Sequence, residues 1–328
     1  MPRYLKIDIS HKTIFFITGF IALLWALYQI REVIILLFIA IIFMSALTPV
    51  IESLQKLKVP KSLAIAFSYI VVFAIMFSLL YLITIPFIEQ TTNLIQNLPS
   101  KVQQLLPEEG PINRSIVQDE LTTISKNALS FTLALFNNFI AFISIAVLTF
   151  YLLLERERLD ALIAKFFVGH EEQARNIVGK IEDKLGAWLR GQLSLSVIIS
   201  VLVYIVLSLI QVPYALPLAI LAGILEIVPV IGPIISAIPS ILIAYLVSPI
   251  TAVVVGLSFF VIQQLENNFI VPQVMKRAVG LNPVIIILAV SVGGKLLGIP
   301  GALLAVPIVV VIQIVVEEVL KGNTAQNS

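Results

Sequence analysis

Long charge-poor runs alternate with short polar stretches along this chain. The runs cover 14–30, 33–51, 63–88, 128–154, 193–211, 214–247, 250–265, 281–297 and 301–316. Most reach the roughly 20 residues that carry a helix across a hydrocarbon core of about 30 Å. Backbone polar groups find no water inside lipid, so each run predicts an α-helix rather than an open strand. The pattern predicts an all-α, polytopic membrane protein.

The polar stretches predict different elements. Segment 89–127 mixes Pro99, Pro107, Gly110 and Pro111 with Leu94, Ile95, Leu98, Val102, Leu105 and Leu106. That spacing predicts a short amphipathic helix, a turn and a second helix. In 155–192, Ile177, Ile181, Leu185 and Trp188 recur at helical spacing opposite a charged face. This predicts an amphipathic helix on the membrane surface or under the bundle, or else a solvated connector. The chain then divides into helices in 1–88, an extracytoplasmic segment 89–127, a span in 128–154, a cytoplasmic segment 155–192, a bundle in 193–320 and a tail 321–328.

Composition strengthens the membrane reading. Hydrophobic residues make up 59% of the chain and charged residues 12%, with a mean hydropathy of +1.05. Soluble domains carry roughly 25% charged residues. The first run has a basic start (Arg3, Lys6, Lys12) but ends in Leu27-Tyr28-Gln29-Ile30-Arg31, unlike a cleaved signal, and is expected to be retained. A net charge of +2 gives no reason to expect a nucleic-acid partner. With no cysteine there is no disulfide framework and no thiolate site.

Lys and Arg placement orients the first five runs. Basic groups gather at the N-terminus, at Lys56, Lys58 and Lys61, across 155–192, at Lys276-Arg277 and at Lys321. The expectation is a multi-pass protein of the cytoplasmic (inner) membrane with both termini cytoplasmic. Two full crossings between Val212-Pro213 and Lys276-Arg277 would put that basic pair outside. The conflict disappears if 214–247 is a re-entrant hairpin, broken at Pro229-Val230-Ile231-Gly232-Pro233, with a further break at Pro239. Each half is then about 13 to 15 residues, too short to cross. Run 281–316 is interrupted likewise, at Gly293-Gly294-Lys295 and Gly298-Ile299-Pro300-Gly301. Two interrupted hairpins of opposite sense point to a binding site near the midplane. The alternative is a set of full crossings that violates the charge rule.

Catalysis finds little support. His11 and His170 lie outside the runs, as do Asp8, Asp119, Asp160 and Asp183. That leaves no metal pair, aspartyl dyad or Ser–His arrangement in the membrane, and no P-loop motif. No enzyme, metal or cofactor is expected. The ionisable groups in or beside the runs are Glu226, Glu266 and Lys295. A charge at mid-bilayer costs about 3 kcal/mol on insertion scales, so these should face an interior or a wet cavity. Glu226, before Pro229, is expected at the end of the first half-helix, where it could take up a proton or a small cation, or else serve as a packing hydrogen bond. Gly232 and Pro233 would open the second half-helix, and Gly301 its counterpart in the second hairpin; free N–H groups there could hold an anionic or hydroxyl-rich solute. Gln263, Gln264, Glu266, Asn267 and Asn268 form either a polar vestibule or interhelical network, or a helix end at the water interface. Lys295 would pair with Glu266 or Glu226, or snorkel to the headgroups.

These residues also carry a resemblance. Trp188-Leu189-Arg190-Gly191-Gln192-Leu193 is followed by Glu226-Ile227-Val228-Pro229-Val230-Ile231-Gly232-Pro233 and Ile238-Pro239. Then come Glu266-Asn267-Asn268 with Pro272, Gly280-Leu281-Asn282-Pro283, Gly298 with Gly301, and Ala305-Val306-Pro307. In this order and spacing the chain resembles the autoinducer-2 exporter (permease) superfamily. The resemblance implies about eight membrane segments, a homo-oligomer (a pentamer) and secondary transport. It implies export of a small polar solute such as autoinducer-2, coupled to protons or sodium, or else sodium(lithium)/proton antiport. A passive channel and a non-transporting membrane scaffold remain the other classes.

Overall fold

The computed structural model describes residues 11–78, 81, 89, 139–167, 169–229, 231–275 and 282–325. The predicted segment 89–127, the start of run 128–154 and Lys276-Arg277 lie outside the described residues, Glu89 excepted. Among the described residues the structure is helical, without strands. Ten helices follow in order: α1 (His11–Gln29), α2 (Arg31–Lys56), α3 (Lys61–Ser78), α4 (Phe139–Phe166), α5 (Glu171–Leu209), α6 (Ala215–Leu225), α7 (Ile231–Val247), α8 (Pro249–Leu265), α9 (Val271–Val274) and α10 (Pro283–Ala325).

Among the described residues, five stretches are long and apolar enough to cross a membrane: Arg31–Lys56, Lys61–Ser78, Glu171–Leu209, Pro249–Val274 and Val284–Glu318. Phe15–Gln29, Ala215–Leu225 and Ile231–Tyr245 are shorter apolar helices. Large apolar side chains such as Phe15, Trp25, Ile70, Val197 and Leu257 lie exposed along these helices. That is the surface expected of a lipid-facing protein.

The two interrupted runs fold back. In a straight helix, residues seven or eight apart stand about 10–12 Å from one another along the axis. Here a Cβ placed on Gly232 would fall on the carbonyl oxygen of Leu225, and one on Gly301 would fall on that of Gly293. The chain therefore reverses between α6 and α7 and again within α10. The α10 reversal is made at Gly298, whose φ of 65° and ψ of −143° are non-helical. The first arm of α10, 283–297, would be about 22 Å long, short of a crossing.

Two expectations are corrected. Pro239 does not break its helix: α7 runs through it from Ile231 to Val247. A lone proline removes one intrahelical bond, and neighbouring helices can absorb that loss in lipid. Nor do 155–192 and 193–211 form two elements. α5 is one helix of 39 residues, Glu171–Leu209, whose amphipathic first half continues into the membrane half. Glycines 186 and 191 do not end it; they admit neighbours, the Ser45 carbonyl at Gly186 and Met275 at Gly191.

α5 is the axis of the described structure, with α2, α4, α6, α8 and α10 all packed on it. Close approach to α2 has a local cause. Pro49 lies inside α2 and has no N–H to offer the Ser45 carbonyl. That oxygen abuts Gly186 and accepts from Arg190 at 3.3 Å, and Ala46 O accepts from the same group at 3.1 Å. At the charged end of the bundle, Arg156 on α4 pairs with Glu182 on α5 at 2.8 Å and Glu52 on α2 at 3.1 Å. Lys61 joins Glu157 at 2.9 Å, and Lys180 joins Glu318. The hydrogen bond and charge of Lys61 hold the Glu157 carboxyl below the usual carboxylate range.

Candidate functional site

Glu226 caps the C-terminal end of α6. Pro229, three residues on, has no N–H to donate to the Leu225 carbonyl and lies in the turn before α7. The carboxyl group is thus carried on a broken hairpin. It is 1% exposed. On α5, Trp188 and Gln192 sit four residues apart on one face. Gln192 donates its side-chain N–H to the Glu226 backbone carbonyl at 2.6 Å, one of the oxygens the broken helix leaves without an intrahelical partner.

Glu266 reaches the same place from α8. The polar cluster does not end that helix, as one expectation held; the backbone widens into a π-helical turn at Glu266–Ile270 and continues through α9. Pro272 supplies the reason. In a continuous α-helix its ring would strike the Asn268 carbonyl, and it has no N–H to donate there. The turn widens instead, with Val271 N–H bonding to Glu266 O. Such bulges are often found at functional sites.

The two carboxyl groups lie close enough to share a hydrogen bond. Glu266 is 4% exposed, and Gln263 reaches its Oε2 at 3.3 Å. Oε2 of Glu226 is buried without a hydrogen-bond partner among the described residues. Both acids line a cavity of ≈ 170 Å³ with Trp188, Gln192 and Leu195 of α5, Pro229, Val271 and Met275. Ile286 and Val306, one from each arm of α10, complete it. Both folded-back hairpins therefore contribute to one chamber.

The chemistry of the pair is constrained. Two bare carboxylates in contact and out of water repel strongly, and among the described residues no cation acts on either. A proton bridging the two, or a small cation between them, removes that conflict. Among the described residues there is no group of three or more His, Cys, Asp or Glu side chains that would suit a polyvalent metal.

The other predicted residues are placed as follows. Gly232 makes the tight approach of α7 to Leu225, and Pro233 lies in the first turn of α7. Gly298 and Gly301 shape the second reversal. Asn267 and Asn268 do not join the chamber; both are exposed on the far side of the widened turn. Lys295 pairs with neither acid. It is exposed on the first arm of α10, while the acids face each other. Two residues of the chamber, Trp188 and Gln192, were not singled out as site residues; their spacing of four beside a Gly was the available signal.

Comparison with known proteins gives a consistent picture. Residues 14–321 match the family described as "AI-2E family transporter". The Bacillus subtilis protein "Putative transport protein YrrI" is 28% identical over 322 residues, covering 92% of this chain and 91% of its own. "Putative transport protein YueF" of the same organism is 25% identical over 289 residues, covering 81% and 78%. "Putative permease PerM" of Escherichia coli is 37% identical over a shorter stretch of 68 residues, 21% of this chain and 19% of its own.

Proposed function

Since the chain belongs to the AI-2E family of transporters, a multi-pass membrane family, we propose that it is a secondary transporter driven by ion exchange at the Glu226–Glu266 pair. One observation carries this reading: two buried carboxyl groups, held by a broken hairpin and a π-helical turn, meet in a shared cavity with one oxygen unpartnered. Such a pair exchanges one proton for one monovalent cation without change of net charge. The lining is otherwise apolar apart from Gln192. It offers few donors to a hydroxyl-rich solute, which favours a coupling role for this chamber over a solute-binding one. The driven flux is either export of a small polar solute or cation/proton antiport. The membrane is the cytoplasmic one, with both chain termini on the cytoplasmic side.

The test is flux in proteoliposomes under an imposed pH gradient, with sodium, lithium and autoinducer-2 offered separately. The wild type is expected to move at least one of them against its gradient, with reciprocal proton movement. Glu226→Gln, which keeps the shape and removes the ionisable group, abolishes gradient-driven movement; Glu266→Gln does the same. Unchanged accumulation in both variants would remove the pair from the mechanism.

A further inference from the structure

α2 and α10 both pack on α5, and an apolar cleft of ≈ 380 Å³ opens between them. Each wall is one helical stripe, Arg31, Ile35 and Phe38 from α2 and Leu304, Ile308 and Val311 from α10, stepped by four and then three residues. Leu304 is buried at the cleft, while Ile308 stays exposed. None of the lining residues borders the carboxyl chamber. Arg31 is the one charged group in an otherwise apolar lining.

Two observations define what that guanidinium can do. Its flat face lies over the Tyr28 ring, 4.1 Å from the centroid, which holds the group in place and leaves its N–H edges to donate. Among the described residues no carboxylate forms an ion pair with it. The neighbouring Glu32 is exposed and does not line the cleft. Arg31 also opens the membrane-crossing stretch Arg31–Lys56, 21 residues before Glu52, whose carboxyl group is ion-paired with Arg156. That separation is about 31 Å along α2, close to the thickness of a hydrocarbon core. If the ion-paired end meets water on one side, Arg31 stands at the headgroups on the other.

We propose that this cleft binds one membrane phospholipid, with an acyl chain between α2 and α10 and the headgroup phosphate on Arg31. A phosphate oxygen pair matches the forked donors of a guanidinium. The apolar walls match a hydrocarbon chain, and they offer bound water none of the roughly two to four polar partners it needs. Free phosphate would satisfy Arg31 and leave those walls uncovered; a lipid supplies both parts in one molecule.

The experiment reconstitutes the full chain in lipid nanodiscs with one of two photoreactive probes. One is a phosphatidylglycerol and the other a diacylglycerol, each carrying the same diazirine-bearing chain. After irradiation the labelled peptides are mapped, and labelling of the cleft segments 34–38 and 304–312 is divided by that at Ile70, exposed on α3. Phosphatidylglycerol is expected to exceed diacylglycerol in the cleft by about tenfold, the factor set by a single contact worth about 1.4 kcal/mol. Arg31→Gln is expected to remove that advantage and Arg31→Lys to keep part of it, with Ile70 labelled alike in all three. Equal labelling of the wild-type cleft by the two probes would overturn the proposal, and this comparison needs no variant to fold. So would an unlabelled cleft beside a labelled Ile70, which would show protein covering it, or an advantage that survives Arg31→Gln.

Discussion

Two adjacent glycines in the first arm of α10 show how differently the same residue type can be used. A Cβ on Gly293 would collide with the carbonyl of Gly301, whereas one on Gly294 meets only the Ala302 side chain, at 3.8 Å. Gly293→Ala and Gly301→Ala are therefore expected to destabilise the protein by about 2–3 kcal/mol, through forced separation of the two arms. Gly294→Ala is expected to be neutral or mildly stabilising, since alanine favours the helix. Thermal unfolding of the purified variants in one detergent checks this; equal melting temperatures for Gly293→Ala and Gly294→Ala would refute the tight approach. The two prolines flanking the acids likewise differ from Pro239. Pro229 stops a helix and Pro272 widens one, but Pro239 is carried inside α7. Residue type announces a break; surrounding packing decides whether it happens.

Helix pairs are fixed by what one element leaves unbonded and the other supplies. Pro49 frees the Ser45 carbonyl of α2, and Arg190 of α5 donates to it. Arg190→Ala should cost about 1–3 kcal/mol, the range for losing a buried group's charged partner. In a Pro49→Ala background the Ser45 oxygen regains a helical N–H, and the same loss should cost less. A double-mutant cycle on unfolding free energy reads this coupling; additive effects would show that Arg190 does not act through the proline-freed carbonyl. Gln192 does for α6 what Arg190 does for α2, bonding an oxygen that the break at Pro229 leaves open. Two residues two positions apart on α5 thus tie it to both neighbours, and Gln192 also lines the chamber.

Across the whole molecule, the two reversals determine which ends of the chain share a membrane face. If α10 folds back at Gly298, Asn282 and Glu317 emerge on the same side. Single-cysteine variants at these exposed positions, Asn282→Cys and Glu317→Cys, should be labelled by an impermeant reagent from the same face, so that both stay unlabelled in intact cells and both react after permeabilisation if that face is the cytoplasmic one. Labelling from opposite faces would turn α10 into a full crossing. That same face would carry the ion pairs of Arg156, Lys61 and Lys180, which fasten α2, α3, α4, α5 and α10 where side chains reach water.

Hydrophobicity and the placement of Gly and Pro are local properties, so the sequence alone determined the all-helical membrane class and marked Pro229, Gly293-Gly294 and Gly298 as candidate breaks; the structure places the second reversal at Gly298 and runs the helix through Gly293 and Gly294. It also singled out Glu226 and Glu266, because an ionisable group in an apolar run is conspicuous without any neighbour. Partnership is different. Helical phase at Glu266–Ile270 depends on the π-helical widening, which turns Glu266 inward and leaves Asn267 and Asn268 outward. A sequence reading that counts all five polar residues as one cluster has no access to that phase. Charge alone offers Lys295 either an acid or the headgroups; the acids meet each other because α6 and α8 converge on α5 while the first arm of α10 presents Lys295 outward. What the chain carries in its membrane helices was written locally; which of those groups face one another was decided only when distant helices packed.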